Sequence, residues 1–60
     1  MNQIWSVWIT ITGDPRTGDT MNVYETEARN RTEAIAFACM RHGIEHGEPM
    51  PGARVKIEAS

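Results

Sequence analysis

The densest group of side chains that could do chemistry is His42-Gly43-Ile44-Glu45-His46. The order His-x-x-Glu-His is the pattern of the inverted zinc proteases, in which two histidines bind zinc and the glutamate is the general base. That chemistry needs both imidazoles on one helical face and a third ligand. Gly43 stands inside the motif as a helix stop, so the sequence predicts imidazoles on different faces and no catalytic site.

Cys39 extends the motif to Cys-x2-His-x3-His, a spacing that leaves an adventitious metal site as one alternative. The favoured interpretation is two solvent-facing histidines at a helix C-terminus, with Cys39 as a packed thiol. Because Cys39 is the sole cysteine, no intramolecular disulfide can form, which fits a reducing cytosol. Ser6 and Ser60 have no catalytic motif around them. We therefore expect a protein that is not an enzyme and needs no cofactor or metal.

Length and charge narrow the class of protein further. Sixty residues allow one domain, and the formal net charge is −2. The longest uninterrupted apolar stretch, from Ala34 to Met40, is far short of the roughly 20 residues of a membrane span. The N-terminus lacks the pattern of a signal peptide, so we expect a soluble cytoplasmic protein. Direct nucleic-acid binding is disfavoured because the basic residues are few and scattered: Arg16, Arg29, Arg31, Arg41, Arg54 and Lys56.

Two segments with β-branched and aromatic residues predict a hairpin. Residues 4–12 form the clearest strand, and residues 13–19 have the composition of a mobile hairpin loop. Residues 20–28 form the returning strand. One face of the first strand is continuously apolar and should be buried: Trp5, Val7, Ile9 and Ile11.

The phase of the second strand stays open. Met21 and Val23 alternate with each other, but so do Tyr24, Thr26 and Ala28. A bulge could reconcile the two patterns. Either Val23 or Tyr24 could therefore face outward.

The helix has a signal at each end. Asn30 is a good N-cap with Glu33 three residues later, as in a capping box, and residues 32–42 contain no Gly or Pro. Gly43 is predicted to take the left-handed position after the last turn. The predicted inner face of the helix consists of Ala34, Ile35, Phe37 and Ala38.

A third strand completes the predicted architecture. Residues 45–52 are predicted to be a loop and Arg54–Ala59 an alternating strand. The first strand is the most apolar and should be central, and a helical crossover delivers the last strand to its far side. The sequence thus predicts an α+β fold: a single ββαβ domain whose three-stranded antiparallel sheet, in the order 2-1-3, has one helix on one face and nothing on the other.

Trp8 is the main candidate for a binding residue, because it lies in the opposite phase to Trp5 and so on the open sheet face. An aromatic residue with a charged rim is typical of a protein-binding surface. The alternatives are that Trp8 only shields its own sheet, or that this face pairs in a homodimer. The two edge strands could also each accept a partner strand. The predicted binding set is Ile4, Trp8, Met21, Val23, Glu25, Glu27, Arg54 and Lys56.

From Val23 to Ala59 the chain resembles small phage proteins of the same strand–strand–helix–strand plan. The resemblance lies in a Trp-containing first strand, a strand that ends at Ala28, and the segments Arg29-Asn30-Arg31-Thr32-Glu33-Ala34, Pro51-Gly52-Ala53 and Val55-Lys56-Ile57. It is similar to the T-odd coliphage inhibitors of host RNA polymerase and to several anti-CRISPR proteins.

The resemblance implies a phage- or mobile-element-encoded inhibitor that acts in the bacterial cytoplasm by protein–protein contact. Its partner would be a host protein or ribonucleoprotein complex, either RNA polymerase or a CRISPR-Cas effector. Glu25 and Glu27 would correspond to the charged sheet edge that contacts the polymerase in that family. The alternative is a self-associating accessory module whose open sheet face forms a homodimer.

Overall fold

Three strands and one helix make up the computed structural model, which describes all 60 residues. Their order is β1 (Gln3–Asp14), β2 (Gly18–Ala28), α1 (Arg31–His46) and β3 (Arg54–Ala59). The sheet is antiparallel with the order β2-β1-β3, and α1 packs on one face. The predicted fold class is confirmed. No helix in the structure has both the length and the apolar character that a membrane crossing requires.

The central strand, β1, buries the face that its alternation predicts. Val7, Ile9 and Ile11 are buried and form the middle of the core beneath the helix. Trp5 continues the same face toward the edge of the core, where it is half-buried, and its indole N–H donates to the carbonyl oxygen of Ala28 at 3.2 Å. A polar atom on a large apolar ring needs such a partner when the ring is withdrawn from water.

The hairpin between β1 and β2 is tighter than the predicted loop of seven residues. Only residues 15–17 connect the strands, and Gly13 takes a φ of 75° where the register shifts between Ile11 and Asp14. A glycine with positive φ is a common way to place an extra residue in one strand of a pair. The strands therefore continue into the region that the sequence assigned to the loop.

Asp14 bonds the hairpin tip to the rest of the molecule. Its buried carboxylate accepts the backbone N–H of Arg16 at 2.8 Å and that of Met50 at 3.3 Å. The hydrogen bond from the Arg16 N–H is the main reason that the pKa of Asp14 is lowered. Because Met50 lies between α1 and β3, this one carboxylate connects two loops that are distant in the sequence.

The N-terminus of α1 confirms the predicted cap with one difference. The side-chain oxygen of Asn30 accepts the backbone N–H of Glu33 at 2.9 Å. The reciprocal bond goes from the backbone N–H of Arg29 to Glu33, at 3.0 Å, and not from Asn30 as in a standard capping box. The guanidinium of Arg29 also lies 2.8 Å from the Glu33 carboxylate, and its hydrogen bonds lower the pKa of Glu33.

The predicted end of the helix at Gly43 is wrong. The helix continues to His46, and Gly47 is the C-cap with a φ of 74° and an N–H that donates to the Gly43 carbonyl at 2.8 Å. A glycine inside a helix costs only about 1 kcal/mol relative to alanine, which packing of the last turn can offset. The second glycine, four residues later, supplies the stop.

The inner face of α1 is narrower than predicted. Ala34 and Ala38 are fully buried and Ile35 packs partly buried beside them, whereas Phe37 is 40% exposed and Cys39 is exposed. Successive residues of an α-helix are about 100° apart around its axis, so Phe37 and Cys39 point to either side of the buried alanine row. The predictions that Phe37 faces inward and that Cys39 is packed are both wrong.

Candidate protein-interaction surface

The register of the hairpin decides the phase of β2, which the sequence left open. Tyr24 lies opposite Val7, and Val23 lies opposite Trp8. Side chains of directly opposed residues project from the same face of a sheet. Tyr24 therefore points toward the helix and is buried, while Val23 points to the open face and is exposed. The alternation of β2 is unbroken through this region, so no bulge is needed to explain it.

All eight residues of the predicted binding set lie on the open face of the sheet. Those on β2 and β3 are paired with even-numbered residues of β1, which share the phase of Trp8. We call this surface the Trp8 face, and it consists of Ile4, Ser6, Trp8, Thr10 and Thr12 from β1, Met21, Val23, Glu25 and Glu27 from β2, and Arg54, Lys56 and Glu58 from β3.

The centre of the Trp8 face is apolar. Trp8 lies between Val23 and Glu58 across the sheet, and Met21 is one row farther along β2. Ile4, Met21 and Val23 are 68%, 63% and 49% exposed. Trp8 itself is half-buried among its neighbours and borders a shallow groove of about 440 Å³ that reaches to β3. No element of the chain covers this apolar surface.

The charges of the Trp8 face are separated along the strands. Glu25 and Glu27 lie opposite Ser6 and Ile4 at one end of the face. Lys56 and Arg54 lie opposite Thr10 and Thr12 at the other end, on β3. The Trp8 face therefore has an acidic end and a basic end, and charge patterns of this kind are known to set the orientation in which proteins dock.

Glu58 also belongs to this surface, although it is absent from the predicted binding set. It lies directly opposite Trp8, and its carboxylate is 3.1 Å from the ammonium of Lys56. Both side chains are well exposed, so this ion pair contributes little stability. The signal was present in the sequence, because Glu58 has the same phase on β3 as Lys56 and Arg54.

The two histidines of the protease-like motif do share a helical face, contrary to the prediction. His42 and His46 are one turn apart, and their ring centroids are 4.8 Å apart. His42 is buried and places its ring edge-on to Tyr24, with 6.1 Å between centroids, so the expected solvent-facing position is wrong for this histidine. Burial lowers the pKa of His42, and the neighbouring His46 lowers it further.

The rest of the motif does not assemble into a metal centre. The Tyr24 hydroxyl donates to the Glu45 carboxylate at 2.8 Å, which holds Glu45 against β2. Burial and this hydrogen bond raise the pKa of Tyr24 to about 12. No group of three or more His, Cys, Asp and Glu side chains is arranged to hold a metal ion. His42 and His46 therefore offer two nitrogen ligands, and Cys39 does not complete a set with them.

The fold and the Trp8 face together define a small α+β domain with one sheet face covered by a helix and the other uncovered. Comparison with known proteins found no matching family model, no significantly similar curated protein and no significantly similar solved structure. The function is therefore inferred from the chain's own surfaces.

Proposed function

We propose that this protein is a non-enzymatic protein-binding module whose contact surface is the Trp8 face. The observation that carries the proposal is the cluster of exposed apolar side chains around Trp8, on a sheet face that no other element covers. Covering such surface is favourable by about 25 cal/mol for each Å² of apolar area removed from water. Ile4, Met21 and Val23 supply that area beside the tryptophan.

The composition of the face supports a protein partner. Tryptophan is among the residues that most often dominate the binding energy of an interface, especially where surrounding side chains exclude water from it. Trp8 lies near the middle of the face, between Val23 and Glu58 across the sheet, and the other charged residues lie farther out. Thr10 and Ser6 add short polar side chains that can form hydrogen bonds within the contact.

The resemblance to small phage proteins extends the proposal to a host-directed inhibitor. In this proposal the partner is a bacterial protein or ribonucleoprotein complex, with RNA polymerase and a CRISPR-Cas effector as the two leading targets. The exposed positions of Glu25 and Glu27 on β2 support a partner with a basic surface at that end. Occupying a functional surface of the complex would inhibit it without any chemical step.

Trp8→Ala is the direct test, with Phe37→Ala as the matched control. Both substitutions remove a partly exposed aromatic side chain, but Phe37 lies on the helix, on the other side of the sheet. Tagged wild type and both variants are used to capture partners from a bacterial lysate, and the affinity for the purified partner is then measured.

We expect wild type and Phe37→Ala to bind the same complex with equal affinity. Trp8→Ala should bind about 30-fold more weakly or worse, which corresponds to a loss of about 2 kcal/mol. A Trp8→Ala variant that keeps the wild-type circular dichroism spectrum and the wild-type affinity would refute the proposal.

The second candidate function is a self-associating accessory module. The specific observation in its favour is that the acidic and basic ends lie on one face, so a second copy with reversed strand direction brings unlike charges together. In this case the purified protein forms face-to-face dimers, and Trp8→Ala dissociates them. Sedimentation equilibrium of wild type and Trp8→Ala distinguishes this candidate from binding to a host protein.

A further inference from the structure

The backbone of β3 has a defined free edge. Ser6 and Ser60 exchange both of their backbone hydrogen bonds, with N···O distances of 2.8 and 3.0 Å. Hydrogen-bonded and non-hydrogen-bonded pairs alternate along an antiparallel ladder. The even-numbered residues of β3 therefore form the backbone hydrogen bonds to β1. The N–H and C=O groups of the odd-numbered residues lie in the plane of the sheet and point outward from its free edge: Val55, Ile57 and Ala59.

The opposite edge of the sheet is partly occupied. By the same alternation the carbonyl of Glu25 points outward from β2, and the guanidinium of Arg41 donates to it at 3.2 Å. Arg41 also lies over the ring of Tyr24, 5.1 Å from its centroid, which holds the guanidinium across this edge. β3 has β1 as its only neighbour and contains no proline or bulge, and of the features that proteins use to prevent edge pairing it has its short length and the charged side chains of Arg54, Lys56 and Glu58 on the Trp8 face.

We propose that a second copy of this chain pairs with β3 through this edge, antiparallel and about a two-fold axis at Ile57. In this register Ile57 lies opposite the partner's Ile57, and Val55 lies opposite the partner's Ala59. All the outward backbone groups of β3 then find partners, because odd-numbered residues face odd-numbered residues. The inference does not depend on the proposed function.

The register with its axis at Ile57 forms unlike charge pairs without any like-charge contact. With the axis at Ile57, Lys56 lies opposite the partner's Glu58, and the symmetry repeats the pair. Moving the axis to Lys56 sets Arg54 opposite the partner's Glu58 but places Lys56 opposite the partner's Lys56 at the axis, and like charges directly across a sheet are destabilising. In the single chain Lys56 and Glu58 already pair with each other, so the dimer joins two such pairs into one alternating network.

The helix-side face of β3 gives a second reason for the pairing. Val55 is exposed, and an apolar recess of about 160 Å³ lies between the end of the helix and β3, with Ile11 and Ile57 among its lining residues. α1 packs mainly against β2 and β1, so the β3 side of the core is the least covered. In the proposed register the recess of each copy borders Ile57 at the axis, and the exposed Val55 gains the partner's Ala59 as an apolar neighbour.

The pairing also places both Trp8 faces on the same side of one continuous sheet, because opposed residues of an antiparallel pair project from the same face. A binding partner with a repeated or an extended contact surface could then contact the Trp8 faces of both copies at once.

Sedimentation equilibrium of charge-reversal variants tests the proposed register. Lys56→Glu or Glu58→Lys alone should weaken the dimer about ten-fold or more, because each places like charges opposite one another twice. The double variant Lys56→Glu/Glu58→Lys restores unlike pairs and should return the dissociation constant to near the wild-type value. Wild type that stays monomeric at all concentrations, or a double variant that is no tighter than the singles, would overturn the proposal.

Proline substitution tests the edge itself. Val55→Pro removes an outward N–H of β3 without removing a bond to β1, and proline is tolerated at such positions. Glu27→Pro is the matched control, since its N–H points outward from β2 by the same alternation. We expect Val55→Pro to be monomeric and Glu27→Pro to dimerise like wild type. A dimer that persists in folded Val55→Pro and is lost in Trp8→Ala would instead place the contact on the Trp8 face and overturn the edge proposal.

Discussion

His42 and His46 face each other across one turn of α1, with 4.8 Å between ring centroids and 47° between ring planes. This contact exists only because the helix passes through Gly43 and ends at Gly47. The two glycines therefore have different roles that their spacing in the sequence does not reveal. Gly43 is an ordinary helical residue, whereas Gly47 has a positive φ that favours glycine.

Alanine substitutions at the two glycines should have opposite effects. A Cβ at Gly43 would meet no atom within 4 Å, so Gly43→Ala should stabilise the fold by about 0.5–1 kcal/mol. Gly47 has φ 74° and ψ −179°, a region that other residues rarely adopt, so Gly47→Ala should cost on the order of 1–3 kcal/mol. Urea denaturation measures both values. The same sign at both positions would contradict the structural end of the helix.

The burial of His42 should make stability depend on pH. The pKa of His42 is lowered from 6.5 in the fold, so the unfolded chain takes up its proton first as the pH falls. Stability should be highest above about pH 6.5, decline below it, and level off below the lowered pKa of the folded state. Two neighbouring ionisable groups also act on this imidazole: the charge of His46 lowers the pKa of His42, and the charge of Glu45 raises it.

Urea midpoints between about pH 5 and 8 check this dependence. His42→Gln should remove most of it, while His46→Gln, at a side chain that is 48% exposed, should retain most of it. Equal slopes in wild type and His42→Gln would show that another group is responsible.

Tyr24→Phe tests the hydrogen bond between β2 and the last turn of α1. The hydroxyl donates to Glu45 at 2.8 Å, and its removal should cost about 1 kcal/mol, because the exposed carboxylate can bond to water instead. Since the pKa of Tyr24 is raised to about 12 from 10.0, its contribution is present below pH 10.0 and lost as the pH rises through about 12. Denaturation at neutral and alkaline pH measures both effects. An alkaline loss that persists unchanged in Tyr24→Phe would contradict this assignment.

The buried alanines of α1 set how closely the helix approaches the sheet. Ala38 is fully buried, so Ala38→Leu should destabilise the fold by about 1–3 kcal/mol through overpacking. Ala36 is exposed on the same helix, and Ala36→Leu should change stability by less than about 0.5 kcal/mol. Thermal or urea unfolding of the two variants gives the comparison. Equal effects at both positions would show that the helix does not pack through the Ala38 side.

The sequence predicted the structure correctly where a local residue pattern is compatible with only one conformation. The alternation of β1 has a single apolar face, and Asn30 followed by Glu33 defines a helix start, so both predictions agree with the structure. Trp8 and its neighbours on β3 could be placed on one face for the same reason. The alternation of side chains along a strand and the hydrogen bonds of a helix cap each involve only a few neighbouring residues. They can therefore be predicted without knowledge of the rest of the fold.

Tertiary contacts decided the features that the sequence left open or assigned wrongly. In β2 both the odd-numbered and the even-numbered residues include apolar side chains, so either set could face the core. Only the register with β1 shows that Tyr24 faces the helix. Gly43 and Gly47 are equally good helix stops locally, and the contacts of His42 with Tyr24 and of Tyr24 with Glu45 hold the last turn in place. Phe37 lies in an unbroken apolar run, which gives no periodicity from which to select the inner face.

The two tryptophans are separated by three positions in the chain but by the whole thickness of the sheet. Trp5 is bonded to Ala28 at the border of the core, and Trp8 lies on the uncovered side. Their fluorescence should therefore report different events. With Trp8 replaced by phenylalanine, emission from Trp5 follows unfolding; with Trp5 replaced by phenylalanine, emission from Trp8 follows occupation of the open face. The chain thus contains separate optical signals for folding and for the proposed binding.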